Sequence, residues 1–206
     1  MDIHRLYGNS PDLRLVERIA ARLRDGAVVI YPTDSVYAIG CDALNQRAVE
    51  RIYRYRGQEE QRKPLSIICR DISQADEYTR FGDRQFKVMR RNVPGPFTFV
   101  LEAGMKLPKV FRARKTLGIR IPDQPILHAL LEELGTPLLT ASLKLDGDGY
   151  EDGGYMTDPE LIAEAFGRQA DILIDGGPGL ELPSTVVDLT GAEPVVLRQG
   201  AGELVL

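Results

Sequence analysis

Tyr31-Pro32-Thr33-Asp34-Ser35-Val36-Tyr37-Ala38-Ile39-Gly40 follows the apolar run Ala27-Val28-Val29-Ile30. Hydroxyl groups crowd into a few residues around one proline. Pro32 fixes its own φ and restricts Tyr31, so these groups sit on a stiff backbone. Polar groups held rigidly at a strand end suit a ligand pocket. A strand, a turn and a second strand, with Thr33 and Ser35 capping backbone groups, accounts for the same residues.

Working outward, helices and strands alternate. The reading gives a helix opening at Ser10-Pro11, with Leu13, Val16, Ile19, Ala20 and Leu23 at helical spacing and Gly26 ending it. A strand covers 27–31. Asn45 caps a second helix with Ala48, Val49, Ile52 and Tyr53 on one face. Leu65–Cys69 reads as a strand, Asp71 as the cap of a further helix, and 83–92 as a basic helix ended by Pro94-Gly95-Pro96. Phe97–Leu101 and Leu117–Ile121 read as strands. Pro125 starts a helix closed by Gly135, and Pro137–Ser142 is a buried strand. Residues 146–154, rich in Asp and Gly, read as a mobile loop. Asp158-Pro159 opens another helix, and strands near 171–174, 184–189 and 194–198 finish the chain. Early alternation and a strand-rich end predict one α/β domain over residues 1–206, with a mixed parallel and antiparallel sheet.

Composition narrows the classes. The chain has 206 residues, 43% of them hydrophobic, enough for a sizeable core. No apolar run approaches the roughly 20 residues a membrane-spanning helix needs. The start, Met1-Asp2-Ile3-His4-Arg5, is no signal peptide, so the expected location is cytoplasmic. Cys41 and Cys69 are the only cysteines, and they read as reduced, buried thiols. With two histidines and no Cys-x-x-Cys, no transition-metal site is expected. The net charge of −4 hides an asymmetry. Residues 1–120 hold 23 basic and 14 acidic groups, whereas 121–206 hold 3 and 16. A basic first part points to an anionic partner such as a nucleotide or nucleic acid; solvated helix faces explain many of the same arginines.

No Walker motif, dinucleotide glycine fingerprint or Gly-x-Ser-x-Gly elbow is present. Asp175-Gly176-Gly177-Pro178-Gly179 reads as a glycine turn before it reads as a phosphate cradle. Arg54, Arg56, Arg62 and Lys63 are stronger candidates. Cations at a helix end complement its dipole, and guanidinium groups also clamp polyphosphates. Arg120 stands inside the apolar strand Leu117-Gly118-Ile119-Arg120-Ile121. A buried charge needs a partner, and either a substrate carboxylate or an internal Asp would serve. Ser142 and Ser184-Thr185 lie at strand ends, where small hydroxyls line pockets or close turns. Arg198 follows Val195-Val196-Leu197, binding an anion or closing the sheet edge.

Together these segments resemble the YrdC/YciO-type threonylcarbamoyl-AMP synthase family. Tyr31–Gly40 is similar to its Y-P-T-x-T-x-Y-G-L-G pattern and Pro94–Leu101 to P-G-P-x-T-x-x-L. Gly118–Pro122 is similar to V-R-x-P, Pro183–Leu189 to S-T-V-V-D-L, and Leu197-Arg198-Gln199-Gly200 to L-R-x-G. Cys69-Arg70-Asp71 and Lys115-Thr116-Leu117-Gly118 look most like the YciO branch. The resemblance implies a twisted α/β fold with a concave basic cavity. It implies a nucleotidyltransferase that makes threonylcarbamoyl-AMP from L-threonine, bicarbonate and ATP, with Mg²⁺ arriving on ATP, for N6-threonylcarbamoyladenosine (t6A) modification of tRNA. By motif, Ser35, Thr98, Arg120 and Ser184 would contact threonine, and Thr33 and Tyr37 would shape the pocket. Arg54, Arg56, Lys63, Ser142, Lys144 and Arg198 would face ATP, with Arg54 and Arg56 in the catalytic role.

Several positions depart from the synthase pattern. Arg54-Tyr55-Arg56 stands where K-x-R is usual, and the gap to Lys63-Pro64-Leu65 is longer. Ser142-Leu143-Lys144 replaces S-x-N, a donor-only cation for an amide. Ser35 stands for Thr, and Ala38-Ile39 for G-L. The threonine half is thus closer to the pattern than the nucleotide half. Two readings follow: a slow synthase, or a paralogue that binds RNA, tRNA or double-stranded RNA included, or another nucleotide without efficient synthesis.

Overall fold

The computed structural model describes residues 1–8, 11–62, 66–104, 106, 114–143 and 154–206, with only the helical backbone over 56–62. The predicted loop at 146–154 and the side chains of Arg56, Arg62, Lys63 and Lys144 lie outside the described residues, apart from Gly154.

Eleven strands form one mixed sheet among these residues. They are β1 (Asp2–Arg5), β2 (Val29–Tyr31), β3 (Ala38–Asp42), β4 (Ser66–Ile68), β5 (Thr79–Arg80), β6 (Phe97–Ala103), β7 (Thr116–Arg120), β8 (Leu138–Ser142), β9 (Ile172–Asp175), β10 (Thr185–Asp188) and β11 (Val195–Arg198). The spatial order is β1-β9-β2-β3-β8-β4-β7-β6-β10-β11, with β5 paired to β6. The pairs β1–β9, β9–β2, β4–β7 and β6–β10 are parallel; the others are antiparallel. The predicted mixed α/β sheet is therefore present. Strand β1 was not anticipated: it is four residues long and mostly exposed, so it carries no alternating apolar pattern.

Among the described residues, six helices cover the sheet: α1 (Leu13–Arg24), α2 (Gln46–Arg62), α3 (Ile72–Tyr78), α4 (Asp83–Asn92), α5 (Pro125–Leu134) and α6 (Pro159–Phe166). Their ends follow local chemistry. Asp71 accepts from Gln74 N at 2.7 Å, Asn45 from Ala48 N at 3.2 Å and Asp158 from Glu160 N at 2.8 Å. Gly135 ends α5 in the left-handed conformation. The first helix differs from expectation. It begins at Leu13, with Asp12 as its cap accepting from Arg14 N at 2.9 Å, so a carboxylate two residues on replaces the expected Ser10.

Two apolar cores flank the sheet. On one side α1 and α5 pack Ile19, Leu23, Leu127 and Leu130 on Val29, Tyr31, Ile68 and Leu138. On the other, α2, α3, α4 and α6 pack Val49, Ile52, Ala75, Met89 and Ile162 on Ile39, Ile67, Phe99, Ile119 and Leu139. Each fully buried large aliphatic side chain contributes about 1.5–3 kcal/mol, which makes these layers the main source of rigidity. That rigidity positions the polar row described next.

Candidate functional site

Directly opposed residues on paired strands point to the same side of a sheet. Gly40 opposes Thr140, Thr140 opposes Ser66, Ser66 opposes Gly118, and Gly118 opposes Val100. One row of small and hydroxyl residues thus crosses β3, β8, β4 and β7 and meets Val100 of β6. Two residues along each strand, Thr98, Arg120 and Ser142 share that side. It is the α1/α5 side, where Tyr31 and Ile68 are packed. A side chain at Gly118 would overlap Ser66 Oγ and crowd Thr98 Cγ2, so the glycine is what lets these two hydroxyl residues approach across β7.

The stretch 31–40 resolves into strand, turn and strand, and its hydroxyls also belong to a cluster. Thr33 Oγ1 lies 3.0 Å from Ser35 Oγ, donates to Val36 O at 2.8 Å, and accepts from Ser35 N at 3.0 Å. Arg120 reaches in from β7. One terminal guanidinium nitrogen donates to Ser35 Oγ at 2.9 Å, Asp34 Oδ1 at 3.2 Å and Thr33 Oγ1 at 3.4 Å. The internal partner left open by the sequence is therefore Asp34, whose other oxygen accepts from Asp123 N at 2.9 Å. The side chains of Arg120 and Asp34 are 4% and 8% exposed. Arg120 Nε is buried without a hydrogen-bond partner.

Electrostatics follow from that burial. Desolvation pushes the Asp34 pKa up, and Arg120 and the Asp123 N–H only partly counter it. Desolvation pulls the Arg120 pKa down, opposed by Asp34 and Tyr31 and reinforced by Arg198. A guanidinium keeps its proton under these conditions, so Asp34 faces a permanent cation.

A second hydroxyl pair adjoins. Thr98 Oγ1 and Ser184 Oγ lie 2.7 Å apart, both buried. Arg198 donates to Ser184 O at 2.8 Å. Beneath it, Thr185 is a hub: its hydroxyl donates to Gly202 O at 2.6 Å and accepts from Gly200 N at 2.9 Å and Gly202 N at 3.1 Å. A side chain at Gly200 would overlap Pro183 O and Ser184, so only glycine lets the Arg198-Gln199-Gly200 segment lie on β10. Sequence reasoning missed Thr185 as a positioning group, although the pair Ser184-Thr185 was in view.

The structure thus brings Thr33, Ser35, Arg120 together, and Thr98, Ser184, Arg198 together. Ser142 ends β8, half-buried and opposite Ala38. The Tyr37 hydroxyl donates to Gly177 O at 2.7 Å and accepts from Gly176 N at 3.1 Å. The Asp175–Gly179 run is accordingly a turn, with Asp175 also accepting from Gly177 N at 2.9 Å. Arg54 is exposed on α2, and its Nε donates to Glu50 O of the same helix at 3.4 Å. Asp34 is the site residue the sequence reading left unnamed. Its signal was an acid set between two hydroxyl residues in a rigid turn.

No helix among the described residues is long and apolar enough to cross a membrane, and no described group of three His, Cys, Asp or Glu side chains could hold a metal ion. Cys41 and Cys69 are free and buried, their thiol pKa values pushed up by desolvation.

Comparison with known proteins gives consistent matches. The family model Sua5/YciO/YrdC, described as "Telomere recombination", matches residues 21–200. A protein of Escherichia coli K12 named YciO, uncharacterized, is 38% identical over 97% of this chain and 95% of its own length. Its crystal structure superposes with a TM-score of 0.90. A threonylcarbamoyl-AMP synthase of Bacillus subtilis is 34% identical over 90% of this chain, which spans 53% of that enzyme. Sua5 of Pyrococcus abyssi, crystallised with L-threonine, is 28% identical with a TM-score of 0.85, covering 97% of this chain and 58% of its own.

Proposed function

The chain belongs to the Sua5/YciO/YrdC family, and on that premise we propose that it is an L-threonylcarbamoyladenylate synthase. L-threonine, bicarbonate and ATP would give threonylcarbamoyl-AMP and pyrophosphate. The carrying observation is the buried Arg120 donating to the Thr33 and Ser35 hydroxyls, with Thr98 and Ser184 forming a second buried hydroxyl pair on the same side of the sheet. A guanidinium beside small hydroxyls suits a hydroxylated amino acid: the cation takes the carboxylate, and the hydroxyls read the side chain. The relatives named as synthases, and the Sua5 crystallised with L-threonine, support the same assignment.

The threonine nitrogen attacks the bicarbonate carbon, water leaves, and a carbamate forms. A carbamate oxygen then attacks the α-phosphorus of ATP, and pyrophosphate departs. No protein nucleophile is required, so catalysis rests on positioning and on cations around the phosphates. Arg198 is held near Ser184, where it can meet the adenylate. Arg54 extends from α2 into solvent and would have to turn inward over ATP, joined by Arg56, Lys63 and Lys144. Mg²⁺ enters with ATP and neutralises phosphate charge. The product would serve t6A modification of tRNA in the cytoplasm.

The test is pyrophosphate release from Mg-ATP with threonine and bicarbonate added singly and together. Release that requires both, with the adenylate seen by mass spectrometry, supports the synthase. A second reading, an RNA- or nucleotide-binding paralogue, is favoured by the outward-facing Arg54. It predicts no release above background and RNA affinity that falls steeply with salt.

A further inference from the structure

Asp34 is the only carboxylate hydrogen-bonded to Arg120 or to the four hydroxyls of the cluster among the described residues. It is nearly as buried as the arginine it faces. A buried arginine with five donors could be satisfied by carbonyl oxygens and hydroxyls, which bring no opposing charge. Instead the fold retains an acid beside it and bears the desolvation of a second charge. The acid is fixed from both sides, by Arg120 at 3.2 Å and by the Asp123 N–H at 2.9 Å, so it does not follow a ligand as a mobile side chain would.

The consequence lies in the net charge of the hydroxyl cluster. Arg198 lies close enough to add to the depression of the Arg120 pKa. Without Asp34, the Arg120 and Arg198 cations would stand near each other uncompensated, and a phosphate reaching the cluster would be drawn to the more desolvated one. ATP carries three phosphate groups. We propose that Asp34 is a specificity-determining residue that holds the Arg120 end of the hydroxyl cluster at zero net charge. That end then accepts a zwitterionic amino acid and rejects phosphate and carboxylates lacking an amine. The amino-acid identity of the ligand rests on the synthase reading; the rejection of phosphate does not.

The experiment measures binding of L-threonine, 3-hydroxybutyrate (threonine without its amine) and inorganic phosphate by calorimetry. Four proteins are compared: the unmodified chain, Asp34→Asn, Asp34→Glu, and the double variant Asp34→Asn/Arg120→Gln. Unmodified protein should favour L-threonine over 3-hydroxybutyrate by about tenfold or more, the equivalent of one well-made ionic contact. Asp34→Asn should shrink that preference severalfold and tighten phosphate by about tenfold or more. Asp34→Glu restores the charge and should restore rejection of phosphate. The double variant is neutral again and should bind phosphate as weakly as the unmodified chain, which a purely structural role for Asp34 would not produce. Unchanged phosphate affinity in folded Asp34→Asn overturns the proposal, as does tight phosphate binding that persists in the double variant. Failure of the unmodified chain to bind L-threonine removes the synthase reading, while the phosphate comparison still decides the role of Asp34. If Asp34→Asn does not fold, the double variant and Asp34→Glu decide: either one binding phosphate about tenfold more tightly than the unmodified chain overturns it.

Discussion

Two Arg–Asp pairs in this molecule differ in the direction in which their acids titrate. Arg51 and Asp171 meet in a fork, at 2.6 and 3.1 Å, with side chains 36% and 32% exposed. Desolvation acts on Asp171 as well, but hydrogen bonds from Arg51 and the Val28 N–H outweigh it, and its pKa falls. Arg120 and Asp34 share one contact at 3.2 Å and almost no solvent, and the Asp34 pKa rises. The first pair ties α2 to the loop before β9 and stabilises the fold. The second costs the fold stability, and its location in the hydroxyl cluster points to use by a ligand.

The largest effect should come from breaking the buried pair. Arg120→Ala leaves Asp34 buried without its counter-charge, and the expected loss is about 3–5 kcal/mol by chemical denaturation at neutral pH. In the folded fraction the threonine requirement should rise more than the ATP requirement; the reverse would remove Arg120 from the carboxylate role. Next comes the hub below Arg198. Thr185→Val leaves the Gly200 and Gly202 amides without their acceptor, at about 1–3 kcal/mol, and should weaken ATP more than threonine. An equal effect on both would show that the segment does not orient Arg198. For the half-exposed pair, Arg51→Ala should cost about 1 kcal/mol or less.

The two acids also separate by pH. Asp171 has a folded pKa below its unfolded value, so its contribution is present above about pH 4 and is lost as pH falls through the folded pKa. Asp34 has a folded pKa above its unfolded value. The folded state therefore binds the extra proton between the two, and this group lowers stability as pH rises through that window. Relative to the unmodified chain, Asp171→Asn should lose stability at neutral pH and lose less in acid. Asp34→Asn should remove the opposite slope. Melting curves from pH 3 to 7 would show parallel slopes if burial did not divide the pairs. The smallest effect belongs to Arg54→Ala, within about 0.5 kcal/mol of unchanged stability, with any loss of ATP affinity fading as salt rises.

Much of this was legible in the chain. Asn45, Asp71, Asp158-Pro159 and Pro125 with Gly135 marked helix ends because caps act on the nearest backbone groups. Arg120 stood out because a charge within an apolar strand breaks the pattern. Its partner was not legible, because Asp34 and Arg120 are 86 residues apart and only sheet order brings them together. The same holds for Ser66 and Thr140, ordinary residues until β4 and β8 are laid side by side. Asp12 replaced the expected cap because two polar residues near a helix start compete and local sequence does not rank them.

The place of β9 has a temporal consequence. It lies between β1 and β2, pairing Asp2 with Ile172 and Val29 with Ile172. As the chain leaves the ribosome, β1 and β2 wait some 140 residues or more for the strand that joins them. The strands of the hydroxyl row, β3, β8, β4, β7 and β6, are complete once Ser142 has emerged. Pairings this distant in sequence form late and slowly. A nascent chain halted before Ile172 should therefore expose the edge of β2, and be open to proteolysis there, with β3, β8, β4, β7 and β6 already synthesised and the segments carrying Ser184 and Arg198 still to come.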